Sequence, residues 1–200
     1  MMHEHLLAFF LFLTVATTTP GPNNLMVMAS GANFGLRRTL PHILGIACGG
    51  GTMVMLVGFG LIRLFDAVPV IYTVLKVASV LYLLYLAWKI ANAAPPRDRD
   101  DTAGRPFTFF QAALFQWVNP KAWTMALTAF TVYAPDRAPL TMILIGLSFA
   151  AVAVPGTGLW TVAGQQLRRF LTSPRRLRLF NWTMAGLLVA SLIPVLLPAA

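Results

Sequence analysis

The sequence predicts an all-α integral membrane protein with six transmembrane helices, arranged as two inverted three-helix repeats. Three observations support this fold class. The 200 residues are 58% hydrophobic and only 10% charged, which is not the balance of a soluble domain. The apolar residues form long runs with few charges, and about six runs of roughly 20 to 30 residues suit a bilayer core about 30 Å thick. Two of these runs are broken by proline beside asparagine, at positions that would lie near mid-membrane.

The first half of the chain contains three predicted spans and forms the first repeat. Span 1 is broken at Pro20 and Pro22, because each proline lacks an amide donor and disfavours helix in the residue before it. Span 2 carries Gly49-Gly50-Gly51 near its middle, and span 3 ends in aromatic residues such as Trp88 that suit a membrane interface. Within a repeat of about residues 1–91, the spans cover roughly residues 5–35, 39–62 and 68–90.

A polar linker over residues 92–106, with the sequence Pro95-Pro96-Arg97-Asp98-Arg99-Asp100-Asp101 inside it, separates the halves. Span 4 is broken at Asn119-Pro120, and span 5 is expected to be interrupted at Pro155-Gly156. Interrupted helices are thus expected in matching places of the two halves, with span 4 matching span 1 and span 5 matching span 2 at its triple glycine. In the second repeat, of about residues 107–200, the spans cover roughly residues 107–134, 138–164 and 179–197, and the whole chain is predicted to form a single transmembrane domain.

Lysine and arginine are concentrated on one predicted side of the membrane. The loops after spans 1, 3 and 5 carry two, four and five of them, whereas the other two loops carry only Arg63 and Arg137. The positive-inside rule makes the richer side cytoplasmic, so both termini are predicted to be periplasmic. With three spans in each half, the halves cross the membrane in opposite directions. Inverted repeats with matching broken helices are typical of transporters that bind substrate at the midplane.

Other classes of function find little support. Cys48 is the single cysteine, which excludes an intrachain disulfide and carriers that work by a cysteine pair. All six carboxylates lie at span ends or in loops, so no buried acid is available as a proton relay or metal ligand. The net charge of +9 reflects loop arginines and indicates membrane orientation, not a nucleic-acid partner. No nucleophile has an evident base partner, so neither an enzyme nor a cofactor is predicted.

The first break offers groups for both ends of a zwitterion. Pro22 suits a first helical position, so Asn23 and Asn24 would lie in a first turn whose free amides attract a carboxylate. The carbonyls that end the preceding half-helix would accept hydrogen bonds from an ammonium. The alternative is a packing kink with the asparagines acting only as caps. The candidate substrate-binding residues here are Thr18, Thr19, Pro20, Gly21, Pro22, Asn23 and Asn24.

The second break adds a charge. Asn119 suits an N-cap and Pro120 a first helical position, which places Lys121 near the centre of span 4. A lysine there costs about 2.5–3.5 kcal/mol to insert, so it should face a cavity or a partner. Lys121 could bind a substrate carboxylate, act as a proton site, or be a structural lysine on broken-helix carbonyls. Trp117 could line the same pocket or pack in the core. Together the breaks predict a pocket selective for a carboxylate.

Several residues are candidates for moving parts. The glycines Gly49, Gly50 and Gly51 could form a hinge or only a smooth packing face, and Pro155-Gly156 could form a gate or a static kink. His42 is a second candidate for proton coupling, or an interface histidine. A homodimer is possible through the small-residue face of Gly45 and Gly49, although nothing requires one.

Both breaks lie in recognisable motifs. The segments Thr19–Asn24 and Ala29–Gly35 resemble the first-span signature of the lysine exporter family, the bacterial LysE/RhtB-type amino-acid exporters. The segment Phe115–Trp123 is similar to the fourth-span motif of that family, and the resemblance covers essentially the whole chain. It implies export of amino acids or close metabolites across the bacterial inner membrane, with the proton as coupling partner in antiport. The form Pro-Gly-Pro-Asn-Asn is similar to the branch of cysteine and O-acetylserine exporters. Export of another small solute, or a non-transport assembly role, is the alternative.

Overall fold

A computed structural model describes residues 2–93, 105–133 and 138–196, and this part of the chain contains helices and no strand. The centre of the predicted linker, from Pro95 to Asp101, and the loop residues Asp136 and Arg137 lie outside the described residues. The helices are α1 (Met2–Thr18), α2 (Pro22–Phe34), α3 (Leu36–Leu56), α4 (Ile62–Ala67), α5 (Val70–Ala91), α6 (Phe109–Phe115), α7 (Pro120–Tyr133), α8 (Pro139–Leu167), α9 (Pro174–Ala190) and α10 (Ile193–Leu196).

The break predicted in span 1 is confirmed. Helix α1 ends at Thr18 and α2 begins at Pro22, which occupies the first turn as predicted. Gly21 is the N-cap in extended conformation, with φ of −179°. The threonine hydroxyls of the last turn of α1 turn back onto their own helix, and Thr17 and Thr18 donate to the carbonyls of Leu13 and Thr14 at 2.8 and 2.6 Å. The break therefore follows from proline chemistry and leaves backbone groups to be satisfied from elsewhere.

The break predicted in span 4 is also confirmed. Helix α6 begins with a capping box between Thr108 and Gln111 and passes into a 3₁₀ turn over Gln116–Val118. Asn119 is extended and α7 starts at Pro120. The Asn119 side chain accepts the Lys121 backbone N–H at 3.2 Å, which is the predicted cap.

The expected interruption of span 2 at its triple glycine is wrong, because α3 runs through Gly49–Gly51 without a break. These glycines make room for neighbouring helices. A Cβ at Gly49 would lie 2.4 Å from the Cα of Ala113, and one at Gly50 would lie 2.4 Å from the Phe149 ring. The regular helix gives way later, in a π-helical turn over Val57–Leu61 where Gly60 has a φ of 103°.

The same packing corrects the predicted dimer face. A Cβ at Gly45 would lie 2.3 Å from the carbonyl oxygen of Phe109, and Gly49 faces the next turn of α6. The small-residue face of Gly45 and Gly49 is therefore covered within the chain by α6, and a second copy cannot use it in this conformation.

The expected interruption of span 5 is also wrong, because α8 continues from Pro139 to Leu167 through Pro155. A proline removes one donor from a helix, and membrane helices tolerate that loss when neighbouring groups and helices support them. Helix α8 has such support, since it packs against α1, α2 and α3. Gly156 of α8 packs against α1, where an added Cβ would be 3.0 Å from the Thr17 hydroxyl oxygen.

The described helices have the lengths and the apolar surface of a membrane protein. Three of them are long and apolar enough to cross a bilayer, namely Leu36–Leu61, Val70–Ala91 and Pro139–Leu167. Two shorter apolar segments, Leu6–Thr18 and Phe109–Val118, each precede one of the two breaks. Large apolar side chains point outward, for example Leu81 at 63%, Leu114 at 68% and Leu159 at 64% exposure. Such a surface suits lipid. Helices α3 and α8 pack at the centre, with α2 and α6 beside them and the α5–α9 pair outside.

Candidate functional site

The two breaks meet in the fold. The Lys121 Nζ donates to the carbonyl oxygen of Thr19 at 2.7 Å and lies 3.4 Å from that of Pro20, although the residues are more than 100 positions apart in sequence. Both acceptors belong to the turn between α1 and α2. The predicted lysine of one half therefore binds the predicted break of the other half.

Gly21 provides the space for this contact. The Lys121 side chain lies over Gly21, where a Cβ would come within 2.8 Å of the lysine Cδ and 3.2 Å of its Nζ. Because the backbone of Gly21 is extended, other residues could adopt its φ and ψ angles. The glycine is thus required by the lysine and not by backbone strain.

The remaining carbonyls at the end of α1 also have donors. The Asn24 side chain, only 3% exposed, donates to the carbonyls of Thr17 and Thr19 at 2.7 Å each. The indole of Trp160, from α8, donates to the carbonyl of Thr18 at 2.9 Å. The carbonyls predicted to accept a substrate ammonium are therefore occupied in this conformation by groups of the protein itself.

A second polar link joins the breaks side chain to side chain. Asn23 donates to Gln116 Oε1 at 2.9 Å, and Gln116 donates back to Asn23 Oδ1 at 3.1 Å and to the Ala112 carbonyl at 2.9 Å. Gln116 is fully buried. Neither Gln116 nor Trp160 was predicted as a site residue. A glutamine beside the break in an apolar run is a usable signal for Gln116, whereas nothing local marks Trp160.

A small cavity lies between the breaks, with a volume of about 30 Å³. That is room for a water or two and is smaller than an amino acid. Its walls come from α1, both breaks, α3, α7 and α8. The polar residues that line it are Thr17, Asn23, Asn24, Asn119, Lys121 and Thr157, and Gly21 lines it beside them.

Some predicted site residues are not on the cavity wall. Thr18, Thr19 and Pro20 take part through their carbonyls, and Pro22 and Pro120 only start the two half-helices. Trp117 lies away from the cavity: its carbonyl accepts the Trp123 indole N–H at 2.9 Å, and the two rings pack edge to face. For Trp117, core packing is the better description.

His42 is not brought to the junction. It is fully buried on α3, and within the described part of the chain neither ring nitrogen has a hydrogen-bond partner. Its ring packs 5.1 Å from that of Phe107. This burial does not favour the alternative of an interface histidine.

Comparisons with known proteins identify a family and several relatives of this chain. The LysE type translocator family matches residues 14–195. A cysteine/O-acetylserine efflux protein of Klebsiella pneumoniae subsp. pneumoniae is 30% identical over 185 residues, which cover 91% of this chain and 92% of that protein. Proteins of the same name from Escherichia coli strain K12 and Shigella flexneri are each 28% identical over 167 residues, which cover 81% of this chain and 83% of theirs. No solved structure matches the chain.

The family match covers far more than half of the sequence, and it includes both broken helices. Members of this family are translocators, so the chain is a membrane transporter and not an enzyme. The chain belongs to the LysE type translocator family.

Proposed function

We propose that the protein is a proton-coupled secondary exporter of small amino acids or close metabolites in the bacterial inner membrane, and that its substrate binds where the two broken helices meet. The observation that carries the proposal is the bond from Lys121 to the Thr19 carbonyl, which joins two half-helix ends at one small cavity. The names of the relatives, cysteine/O-acetylserine efflux proteins, favour a small zwitterion as substrate.

The packing supports an inverted repeat of three spans in each half. Under this proposal α1 and α2 correspond to α6 and α7, α3 to α8, and α5 to α9. The central contact is between the counterparts α3 and α8, and the outer contact is between the counterparts α5 and α9. Contacts of this kind are expected about a pseudo-two-fold axis, although the extensive α2–α8 contact has only a weak counterpart between α7 and α3. The repeats span about 1–91 and 107–200, with a cytoplasmic linker and periplasmic termini.

Substrate binding exchanges one ammonium for another. The substrate ammonium takes the place of the Lys121 Nζ at the carbonyls of Thr19 and Pro20. Lys121 then pairs with the substrate carboxylate, which also faces the amides of the first turn of α2, whereas the first amide of α7 is capped by Asn119. The junction carbonyls keep a cationic partner throughout.

The cavity has to widen for this exchange. We assign the opening to rocking of the two halves across the α3–α8 contact. Gly51 lies at that contact, since its Cβ would meet the Gly146 carbonyl oxygen at 2.8 Å, and Gly49–Gly51 with Pro155-Gly156 remain the hinge candidates. Of the proton-coupling candidates, Lys121 lines the cavity, whereas His42 acts only if opening exposes it.

The test is uptake of labelled cysteine, O-acetylserine and a wider panel of amino acids into inside-out membrane vesicles, with and without a proton gradient. Gradient-dependent uptake is expected for wild type, and Lys121→Ala should abolish it. Lys76→Ala is the matched control, because it also removes a lysine from an apolar helix but does not line the cavity. Full uptake by Lys121→Ala would refute the assigned role. No uptake of any amino acid by folded wild type would favour another solute or an assembly function.

A further inference from the structure

A second and much larger cavity lies beside α2, with a volume of about 330 Å³. This volume is at the lower end of the range of small-molecule sites. Its walls are the second half of α2, the last turn of α5 and the segment before α6. The lining residues that carry the argument are Met26, Ser30, Asn33, Lys89, Arg105 and Phe107.

The cavity continues the face of α2 that begins at the junction. Asn23, Met26, Ser30 and Asn33 follow one another at intervals of three, four and three residues, so they share one side of the helix. Asn23 lines the junction cavity, and Met26 is the inner end of the large one. Three residues of helix span about 4.5 Å, so roughly one helical turn separates the two spaces.

The Asn23–Gln116 pair lies at the junction end of this face of α2. It consists of two hydrogen bonds between neutral amides, at 2.9 and 3.1 Å. Opening it exposes no charge, and water or a substrate can replace each bond. By contrast, the polar groups of the cavity wall are tied within the protein, Ser30 to the Thr39 hydroxyl at 2.8 Å and Asn33 to Asn181 at 2.9 Å. The wall is therefore held in place, and the boundary can open.

The mouth of the cavity is basic. Arg105 is exposed there, and the half-buried Lys89 has its ammonium 5.0 Å from the centre of the Phe107 ring. No acidic side chain is among the described residues that line the cavity. Basic groups at the rim of a low-dielectric cleft concentrate anions and carboxylates. Apolar side chains deeper in the wall, such as Met26 and Phe107, suit a molecule with an uncharged portion.

We infer that this cavity is an antechamber in which a small carboxylate-bearing metabolite binds before it reaches the junction, with the Asn23–Gln116 pair as the gate between them. The inference rests on the proposed export function and adds a second binding station to it. Lys89 and Arg105 attract the carboxylate, and the face of α2 guides the molecule toward Asn23.

The antechamber is tested by the reactivity of Ser30→Cys in a Cys48→Ser background, in phosphatidylcholine nanodiscs. Two methanethiosulfonate reagents of similar size are compared, one with a sulfonate group and one with a trimethylammonium group. We expect the sulfonate reagent to react about tenfold faster. This preference should vanish in Lys89→Gln/Arg105→Gln. It should persist in Arg175→Gln/Arg178→Gln, which removes the same charge from exposed residues that do not line the cavity. Equal rates for both reagents would overturn the inference.

Further measurements distinguish the antechamber from a lipid site and from a failure of the export proposal. Modified Ser30→Cys, assayed in inside-out vesicles, should lose gradient-driven uptake of labelled O-acetyl-L-serine; normal uptake would overturn the antechamber role. If anionic phosphatidylglycerol nanodiscs block both reagents, a lipid headgroup occupies the cavity and the inference fails. If wild type transports nothing while the charge preference holds, export and the antechamber role fail together, whereas transport without the preference refutes the antechamber alone. Asn92→Cys, at the mouth, replaces Ser30→Cys if that variant does not fold.

The gate has its own test. Thr157 lines the junction cavity and is only 3% exposed, so Thr157→Cys should react slowly with the sulfonate reagent. Adding Gln116→Ala removes both bonds of the gate and should raise the rate about tenfold by admitting reagent from the antechamber. Adding Gln166→Ala, which removes an exposed glutamine of α8 that lines neither cavity, should leave the rate unchanged. An unchanged rate with Gln116→Ala would overturn the gate.

Discussion

At the scale of single residues, Lys121 shows how backbone carbonyls can hold a charge in an apolar helix. Inserting lysine near the middle of a membrane helix costs about 2.5–3.5 kcal/mol. One hydrogen bond from a charged group returns about 1.5–3 kcal/mol, so the bond to the Thr19 carbonyl offsets most of that cost. The free-energy cost of moving Lys121 away from this carbonyl is therefore small only when another oxygen acceptor takes its place. A substrate carboxylate is such an acceptor.

Gly21→Ala tests this contact from the other side. The added Cβ would lie 2.8 Å from the Lys121 Cδ, so the lysine has to move off the first break. We expect transport to fall at least tenfold, with a loss of stability of about 1–3 kcal/mol from the lost hydrogen bond of Lys121. Uptake rates and thermal unfolding of the purified protein measure the two effects. Gly186→Ala is the control, since nothing lies within 4 Å of its Cβ position. Unchanged uptake by Gly21→Ala would show that Lys121 functions away from Gly21.

The residues that the sequence reveals at this scale are those with unusual local chemistry. Pro20, Pro22, Asn119 and Lys121 stand out because an apolar run does not otherwise contain them. Trp160 does not stand out, because an indole is common in apolar helices and its acceptor, the Thr18 carbonyl, is 142 positions away. Partners in a broken helix are chosen by tertiary packing, which local pattern does not encode.

At the scale of elements, glycine serves close packing more than flexibility. Helix α2 and helix α8 cross so closely that a Cβ at Gly31 would lie 2.1 Å from the Thr161 carbonyl oxygen, and one at Gly164 would lie 2.0 Å from that of Met28. Gly49–Gly51 act in the same way on α3. The sequence shows that small residues are present in these helices, but whether a glycine breaks a helix or receives a neighbour depends on where the neighbouring helices pass. This is why the interruptions expected in spans 2 and 5 are absent.

Gly164→Ala should therefore be far more harmful than Gly158→Ala in the same helix. The first forces α2 and α8 apart and should cost about 3 kcal/mol or more. The second has open space at its Cβ position and should be neutral or stabilising by up to about 1 kcal/mol, because alanine favours helix. Thermal unfolding of the two variants in detergent compares them directly. Equal stability of both would mean that the crossing can relax.

The buried amide pair of Asn33 and Asn181 should couple α2 to α9. Asn33 donates to Asn181 at 2.9 Å, Asn181 also donates to the Ala93 carbonyl at 3.1 Å, and both asparagines are at most 1% exposed. Asn33→Ala and Asn181→Ala should each cost about 1–3 kcal/mol, since each leaves a buried amide short of a partner. Unfolding of both singles and the double gives their coupling, expected at about 0.5–3 kcal/mol. Strict additivity would contradict the pairing.

At the scale of the whole molecule, helix packing and loop charge determine different properties. Helix packing gives the internal arrangement, while the direction of insertion depends on the loop arginines and lysines, several of which lie outside the described residues. Among the described residues, Arg37 and Arg38 lie in the first turn of α3, and Arg168 and Arg169 directly follow α8. Composition and charge thus predict the membrane class and an orientation, and the fold adds which helices meet.

The predicted orientation has a direct measurement. Alkaline phosphatase fused after the C-terminal residue should be active in cells, and green fluorescent protein fused there should be dark, because both report a periplasmic terminus. Fusions after Arg169, in the loop between α8 and α9, should give the opposite result and serve as the internal control. A fluorescent C-terminal fusion would overturn the predicted orientation. If the Arg169 fusion then reports the periplasm, the inverted repeat still holds in the opposite orientation, whereas the same side for both fusions would contradict the span between them.

The meeting of Lys121 with the first break also bears on how the protein is made. The carbonyls of Thr19 and Pro20 emerge about 100 residues before their lysine, which at roughly 5–20 residues per second is several seconds of synthesis. During that interval Asn24 can donate to the Thr19 carbonyl, but the carbonyls of Thr18 and Pro20 still lack Trp160 and Lys121 as donors. The second half then brings a charge that needs these backbone acceptors. Each half thus has polar groups whose hydrogen-bond partners lie in the other half. A truncated chain should be recognised and degraded by membrane quality control, and halves produced as two separate polypeptides should survive only together.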